Sequence, residues 1–384
     1  MSEIPLSAPS FNGNEWKYLK DCIDTGWVSS AGKYVSTFEE KVANYVGTKY
    51  AISCINGTSA LYLSLRLMGV EAEDEVIVPT LTFIGTINAI SYTGAFPVFM
   101  DADDFFNMDI EKTIKFIKEE TRFNNHVTYN KTSGRRISAI IPVHVWGNAV
   151  WLDELTILCK ERNIKIIEDA AESLGTHYLK GDNKNKHTGS VGDIGCLSFN
   201  GNKIITSGGG GMILTSDPEV AKKAKYFSTQ AKDDALLYIH NEVGYNFRLT
   251  NIQAALGLAQ LEQLDSILLK KKEINQNYIS KLLDIEGLSI CNTPGYATNN
   301  HWLNILKINS LIYIRDKEEL IQIFLNNGIE VRPIWHLNHL QVPYSGFQTY
   351  KIENALNLIR HSLCMPSSFD LNEADLNKVV KSLL

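Results

Sequence analysis

Ile164-Lys165-Ile166-Ile167-Glu168-Asp169-Ala170-Ala171-Glu172-Ser173 reads as a short buried strand that ends in carboxylates. Downstream, Cys196-Leu197-Ser198-Phe199-Asn200-Gly201-Asn202-Lys203-Ile204-Ile205-Thr206-Ser207 sets one lysine between an apolar strand and the run Gly208-Gly209-Gly210-Gly211. Upstream the same rhythm of short strand and helix-length segment repeats. Strands are expected at 51–55, 75–79, 97–101 and 137–144, with helices near 60–68, 84–93, 109–120 and 151–162. Such alternation predicts an α/β sheet, mostly parallel and covered on both faces. Ligands of these sheets bind beyond the carboxyl ends of the strands. Asn56-Gly57-Thr58, Phe83, His144 and Asp169 all fall at such ends.

The polar segment 121–136 reads as a surface insertion, and 179–193 as a hairpin or exposed loop. From Asn251 an apolar helical pattern runs to about 283, after which strands near 301–308 and 329–334 alternate with helices near 316–327 and 372–383. This predicts a large domain over 1–255 and a smaller α+β domain over 256–384, linked by the long helix near 251–283.

A chain of 384 residues, 44% hydrophobic and 21% charged, has the composition of a globular protein. Its formal net charge of -6 speaks against nucleic acid as the main partner. The six cysteines at 22, 54, 159, 196, 291 and 364 have no metal-ligand spacing and read as free thiols in a reducing compartment. No metal site is expected. Met1-Ser2-Glu3-Ile4-Pro5-Leu6 lacks the basic start and apolar core of a signal peptide, and no apolar run is long enough to span a membrane. A cytoplasmic protein is expected.

A lysine in an apolar setting and a strand-end aspartate together suit pyridoxal 5'-phosphate. The lysine joins the cofactor aldehyde as a Schiff base, and the aspartate keeps the pyridine nitrogen protonated. For Lys203 the plain alternative is a strand-edge side chain facing water; for Asp169 it is a structural arginine partner. The glycines do not form a Walker loop, since Lys203 precedes them. They are expected to make a tight turn that lets backbone pass close to a cofactor. Asn56-Gly57-Thr58-Ser59 lies between a strand and a helix, where free N–H groups cradle a phosphate; simple N-capping is the alternative. Ser198 could add a hydroxyl, and Phe83 could stack on a planar ring.

These segments, with Gly26-Trp27-Val28-Ser29-Ser30, Pro79-Thr80-Leu81-Thr82-Phe83, Gly244–Ala255 and His339-Leu340-Gln341, resemble the DegT/DnrJ/StrS family of sugar aminotransferases over nearly the whole chain. Ser198–Ile205 and Asp24–Ser30 are most similar to the branch acting in legionaminic acid pathways. The resemblance implies fold type I (aspartate aminotransferase-like). It implies Lys203 as the catalytic lysine that holds the cofactor and shuttles protons. Asp169 would meet the pyridine nitrogen and Glu172 the ring edge, with Phe83 stacked on the ring. Gly57, Thr58, Ser59 and Ser198 would cradle the phosphate, and Asn246 would reach it from the second subunit of a homodimer with a composite site. Candidate contacts to the substrate or donor are Trp27, Ser29, Arg248, Arg332, His336 and His339, each with a structural role as the alternative. Where the family commonly has Gly-Glu-Gly-Gly, this chain has Gly209 in place of the glutamate.

The expected reaction is transfer of an amino group from an amino acid, glutamate foremost, to C4 of a nucleotide-linked 4-keto-6-deoxy sugar, with a 2-acetamido group expected, in bacterial surface-sugar biosynthesis. Transfer at C3 and a non-catalytic regulator or nucleotide-sugar-binding protein are the competing readings. A cofactor-dependent sugar dehydratase is disfavoured, because a histidine replaces the lysine in those relatives.

Overall fold

The computed structural model describes residues 4–234 and 236–384; Met1–Glu3 of the N-terminal reading lie outside the described residues. Helices α1 (Glu15–Asp24) and α2 (Lys33–Val46) lead into β1 (Tyr50–Cys54), α3 (Gly57–Leu67), β2 (Glu75–Pro79), α4 (Ile84–Tyr92) and β3 (Phe96–Met100). Then come α5 (Ile110–Glu119), β4 (Thr121–Asn124), β5 (Val127–Asn130), β6 (Ile137–Ile140), α6 (Asp153–Glu161), β7 (Lys165–Asp169), β8 (Ile194–Ser198) and β9 (Gly211–Thr215). Helices α7 (Pro218–Ser228), α8 (Asn251–Leu261) and α9 (Leu264–Leu282) follow. The chain closes with β10 (Leu288–Ile290), β11 (Asn304–Ile308), α10 (Lys317–Asn326), β12 (Arg332–Pro333), β13 (Thr349–Tyr350), α11 (Asn354–Arg360), β14 (Ser362–Met365) and α12 (Glu373–Lys381).

Eight strands form the large sheet in the order β1-β9-β8-β7-β6-β2-β3-β13. Only β9 runs against its neighbours β1 and β8; the pairs from β8 through β13 are parallel. Alternate residues serve opposite faces. Val76 and Val78 of β2 pack with Leu61, Leu63 and Leu65 of α3 and Ile87 of α4, whereas Ile77 packs with Phe116 of α5 and Leu155 of α6. Ala51, Met212 and Leu214 at the other end pack with Phe38 of α2 and Ala254 of α8. Burial on both faces is why these strands read as continuous apolar runs, each enclosed Val or Ile contributing about 1.5–3 kcal/mol.

A second, antiparallel sheet in the order β10-β11-β14-β12 belongs to the C-terminal region. Packing crosses a division at 255/256 in several places. Ile4 bridges Ile329 and packs among Leu306, Phe324 and Leu363, beside the small sheet. In the other direction β13 extends the large sheet, and buried Asp101 accepts the N–H groups of Glu353, Asn354 and Ala355 at the start of α11.

One expectation needs correction. The long helix near 251–283 is two helices, interrupted at Glu262–Gln263, where Gln260 and Gln263 both donate to the buried Glu15 carboxylate at 2.6 Å. The insertion 121–136 folds as the β4–β5 hairpin. Its two-residue turn, Asn125-His126, takes the left-handed region at both positions (φ 48° and 61°), as a type I′ hairpin turn requires. The six cysteines carry free thiols, five of them buried. No helix among the described residues is long and apolar enough to cross a membrane.

Candidate active site

Strand ends and loops on one side of the large sheet enclose a cavity of roughly 270 Å³. It is lined by Gly57, Thr58, Phe83, Asp169, Glu172, Ser198 and Lys203, all singled out in the sequence. The lysine sits on the loop between antiparallel partners β8 and β9. That loop is closed on itself: Phe199 N–H donates to the Gly210 carbonyl at 2.8 Å and Ser207 N–H to the Phe199 carbonyl at 2.9 Å. The side chain of Lys203 is largely enclosed, and its Nζ stands 3.4 Å from Glu172 Oε1 and 4.2 Å from the centre of the Trp302 ring.

Asp169 ends β7 and is buried. Its Oδ2 accepts the Thr86 hydroxyl at 2.7 Å and its Oδ1 the Ala171 N–H at 3.1 Å. No arginine partner appears among those contacts. Burial raises its carboxyl above the ordinary value, although Thr86, Ala171 and the nearby Lys203 act the other way. Glu172 is raised by burial too, opposed by Lys203 and by the Trp146 N–H, which donates to Oε2 at 2.9 Å. Trp146 holds a left-handed backbone (φ 51°) in making that contact. Glu172 therefore supports the lysine and lines the same cavity.

Glu168 lies next along the strand and points to the opposite face. Its carboxylate accepts N–H groups from Gly189, Val191 and Gly192 at 2.6–2.8 Å, and His144 at 2.9 Å. His144 Nδ1 accepts the Val150 N–H, so Nε2 carries the proton donated to Glu168. Burial pushes Glu168 up, but these donors outweigh it and hold the carboxyl below its ordinary value. His144 thus braces the loop before β8 and does not line the cavity.

The first turn of α3 supplies the anion-facing end. Asn56 caps the helix by accepting the Ser59 N–H at 2.8 Å, and the N–H groups of Gly57 and Thr58 have no partner within the helix. Ser59 is drawn into this cap and does not line the cavity. Gly57 is needed for space: a Cβ there would lie 2.9 Å from Ser198 Cβ. The glycine run makes its turn with positive φ at Gly208 and Gly210, but the backbone it approaches is that of Asn56 and Gly57, against which Gly211 is pressed. Gly209 also lies outside the cavity.

The remaining candidates lie elsewhere in this chain. Trp27 and Ser29 are exposed and pass their carbonyls to Asn251. Arg248 donates to Gln230, Arg332 to Glu330, and His339 shares a proton with Thr80 at 2.6 Å. His336 and Asn246 are exposed. Conversely, Thr82, Thr86, Trp302 and Trp335 line the cavity without having been singled out. Trp335 packs tilted against Trp146 at 4.9 Å and meets Phe83 edge-on at 6.2 Å.

The residues present fit pyridoxal phosphate. A buried carboxylate with no salt-bridge partner among the described residues faces the cavity, a helix N-terminus with free N–H groups stands at its rim, and a lysine reaches into it.

Residues 9–384 match the DegT/DnrJ/EryC1/StrS aminotransferase family. The chain is 37% identical over 389 residues to a GDP-perosamine synthase of Caulobacter vibrioides, covering 100% of this chain and 99% of the relative. It is 32% identical over 377 residues to a UDP-4-amino-4,6-dideoxy-N-acetyl-beta-L-altrosamine transaminase of Campylobacter jejuni, covering 96% and 92%. A solved DegT DnrJ EryC1 StrS aminotransferase from Brucella abortus superposes with a TM-score of 0.86 at 26% identity, covering 96% of this chain and 94% of its own.

Proposed function

The chain belongs to the DegT/DnrJ/EryC1/StrS aminotransferase family, and from that premise we propose that it moves an amino group from glutamate to C4 of a nucleotide-linked 4-keto-6-deoxy sugar. Pyridoxal phosphate dependence and nucleotide-sugar aminotransfer come with the family; the carbon, the donor and the sugar are the proposal. The observation that carries it is Lys203 Nζ beside Glu172 in a cavity whose buried carboxylate, Asp169, has no cation of its own. When bound, the cofactor supplies an electron sink and carries the amino group between the two substrates.

The residues divide the work as follows. Lys203 Nζ would hold the cofactor and would take and return the proton at the reacting carbon. Glu172 keeps that amine directed into the cavity. Asp169, oriented by Thr86, would hold the proton on the pyridine nitrogen. Gly57 and Thr58 N–H groups and the Ser198 hydroxyl bind the phosphate. Phe83, backed by Trp335, covers one side of the ring. Asn246, exposed in one chain, completes the phosphate site of a second copy in a homodimer.

One named relative is a synthase of GDP-perosamine, and the other is a transaminase that carries a 4-amino-4,6-dideoxy sugar in its name. Their names differ in nucleotide, GDP against UDP, and only the second includes an N-acetyl group. The likeness of Ser198–Ile205 to the legionaminic branch favours a 2-acetamido acceptor, and the free thiols favour a cytoplasmic setting. The test is incubation of the holoenzyme with glutamate and a panel of GDP- and UDP-linked 4-keto-6-deoxy sugars, with and without the acetamido group. NMR of the product should place the new amine at C4. An amine at C3, or no product from any acceptor, would overturn the proposal.

A further inference from the structure

We propose that Trp302 is a further active-site residue, whose ring holds the Lys203 ammonium against Glu172, and that Asn300 and Lys271 are the positioning residues that fix the ring. The proposal rests on the reading of Lys203 as the cofactor lysine. At 3.4 Å the Glu172 contact is long for a charge-assisted hydrogen bond and does not fix the amine alone. The second contact is the indole face, 4.2 Å from Nζ, within cation–π range.

Trp302 is tied at three points. Its Nε1–H donates to the Asn202 carbonyl at 2.5 Å, one residue before the lysine. Its backbone N–H donates to Asn300 Oδ1 at 2.9 Å. The Asn300 amide in turn donates to the carbonyls of Glu172 at 2.8 Å and Leu174 at 2.9 Å, so one buried side chain links both groups that touch Nζ. Finally, the Trp302 carbonyl accepts Lys271 Nζ at 3.2 Å.

Lys271, on α9, is a buried lysine with no carboxylate partner among its contacts. It donates to the carbonyls of Trp302 and Ser367 and to the Ser367 hydroxyl. Burial pushes its amine down to about 7. Burying such a group is expensive, and the cavity reaction has no direct use for it. Its geometry gives it one evident task, which is to anchor the segment carrying Trp302.

The test uses cofactor-free protein and reads the rate at which an acylating reagent modifies Lys203, measured by peptide mass spectrometry at one fixed pH. A held ammonium reacts slowly. Trp302→Met, similar in bulk but without a ring, should raise the rate about three-fold, and Trp302→Phe should restore it to near the wild-type rate. Lys271→Met should also raise the rate, and add nothing in the Trp302→Met background. Unchanged modification in Trp302→Met, or an equal rise in Trp302→Phe, would overturn the ring contact. Lys271→Met that lowers thermal stability without changing the rate would overturn its positioning role. Because no cofactor is present, these results stand apart from the reading of Lys203, which is sunk separately if Lys203→Ala keeps the cofactor's visible band.

Discussion

Gly57→Ala is the sharpest probe of the phosphate end of the site. Gly57 does not need its conformational freedom, since its φ is not positive, so the whole effect is steric. The added Cβ would meet Ser198 Cβ at 2.9 Å and Ser198 Oγ at 3.2 Å. Comfortable carbon contacts are about 3.5–4.0 Å, so the first turn of α3 and the end of β8 must part by roughly 0.6–1 Å. Overpacking of this kind costs about 1–3 kcal/mol. With an unfolding entropy near 0.8 kcal/mol/K for a chain this long, the cofactor-free melting point should fall by roughly 1–4 °C. A shift of that size also carries the Gly57 and Thr58 N–H groups out of hydrogen-bond reach of a phosphate. Losing one charged hydrogen bond, about 1.5–3 kcal/mol, weakens cofactor affinity by about ten- to a hundred-fold. Calorimetry on the cofactor-free protein and absorbance titration with pyridoxal phosphate measure the two effects. Ser198→Gly in the same chain should restore the melting point. Unchanged cofactor affinity would refute the placement of the phosphate at α3, and failure of Ser198→Gly to restore stability would refute the contact as its cause.

Lys203→Ala should abolish turnover and the cofactor's visible band while leaving the fold intact by circular dichroism; retained transfer would remove Lys203 from the mechanism. Asp169→Asn should keep the Thr86 contact yet lose the charge facing the pyridine nitrogen, lowering turnover by at least ten-fold as one charged hydrogen bond is lost; wild-type rates would refute that role. Glu168 is held below its ordinary value, so the stability it contributes is present above the unfolded value and lost as pH falls through the folded one. Asp169 and Glu172 are raised and act with the opposite sign, so the comparison must be between proteins. Melting points from pH 5 down to pH 3 should fall more steeply for wild type than for Glu168→Gln, and parallel slopes would refute the assignment.

The strands at β2, β3 and β7 were legible because both of their faces are covered, leaving apolar runs at their centres. Lys203, Asp169, Ser198 and Gly57 were legible because each sits in a local motif at a strand end. Trp302 and Trp335 were not, because they enter the cavity from the C-terminal region and nothing near them in the sequence points to Lys203 or Phe83. Glu172 was recognised, but its contacts with the Trp146 N–H and the Lys203 ammonium were not, since both are set by tertiary packing. The break between α8 and α9 escaped notice because the apolar spacing continues through it; only the buried Glu15, some 245 residues away, reveals why the chain turns there. The Asn125-His126 turn lacks the glycine that marks most hairpins of its type.

The single reversed strand also dictates an order of assembly. Within the large sheet β1 has one neighbour, β9, and the Asn56–Gly57 backbone at the head of α3 rests on Gly211 of that same strand. On the ribosome, the segment carrying Thr58 therefore emerges long before the strand that seats it. About 160 further residues must be made, which at roughly 5–20 residues per second takes on the order of ten to thirty seconds. Through that interval the apolar edge of β1 waits unpaired, and the nascent chain cannot hold a phosphate.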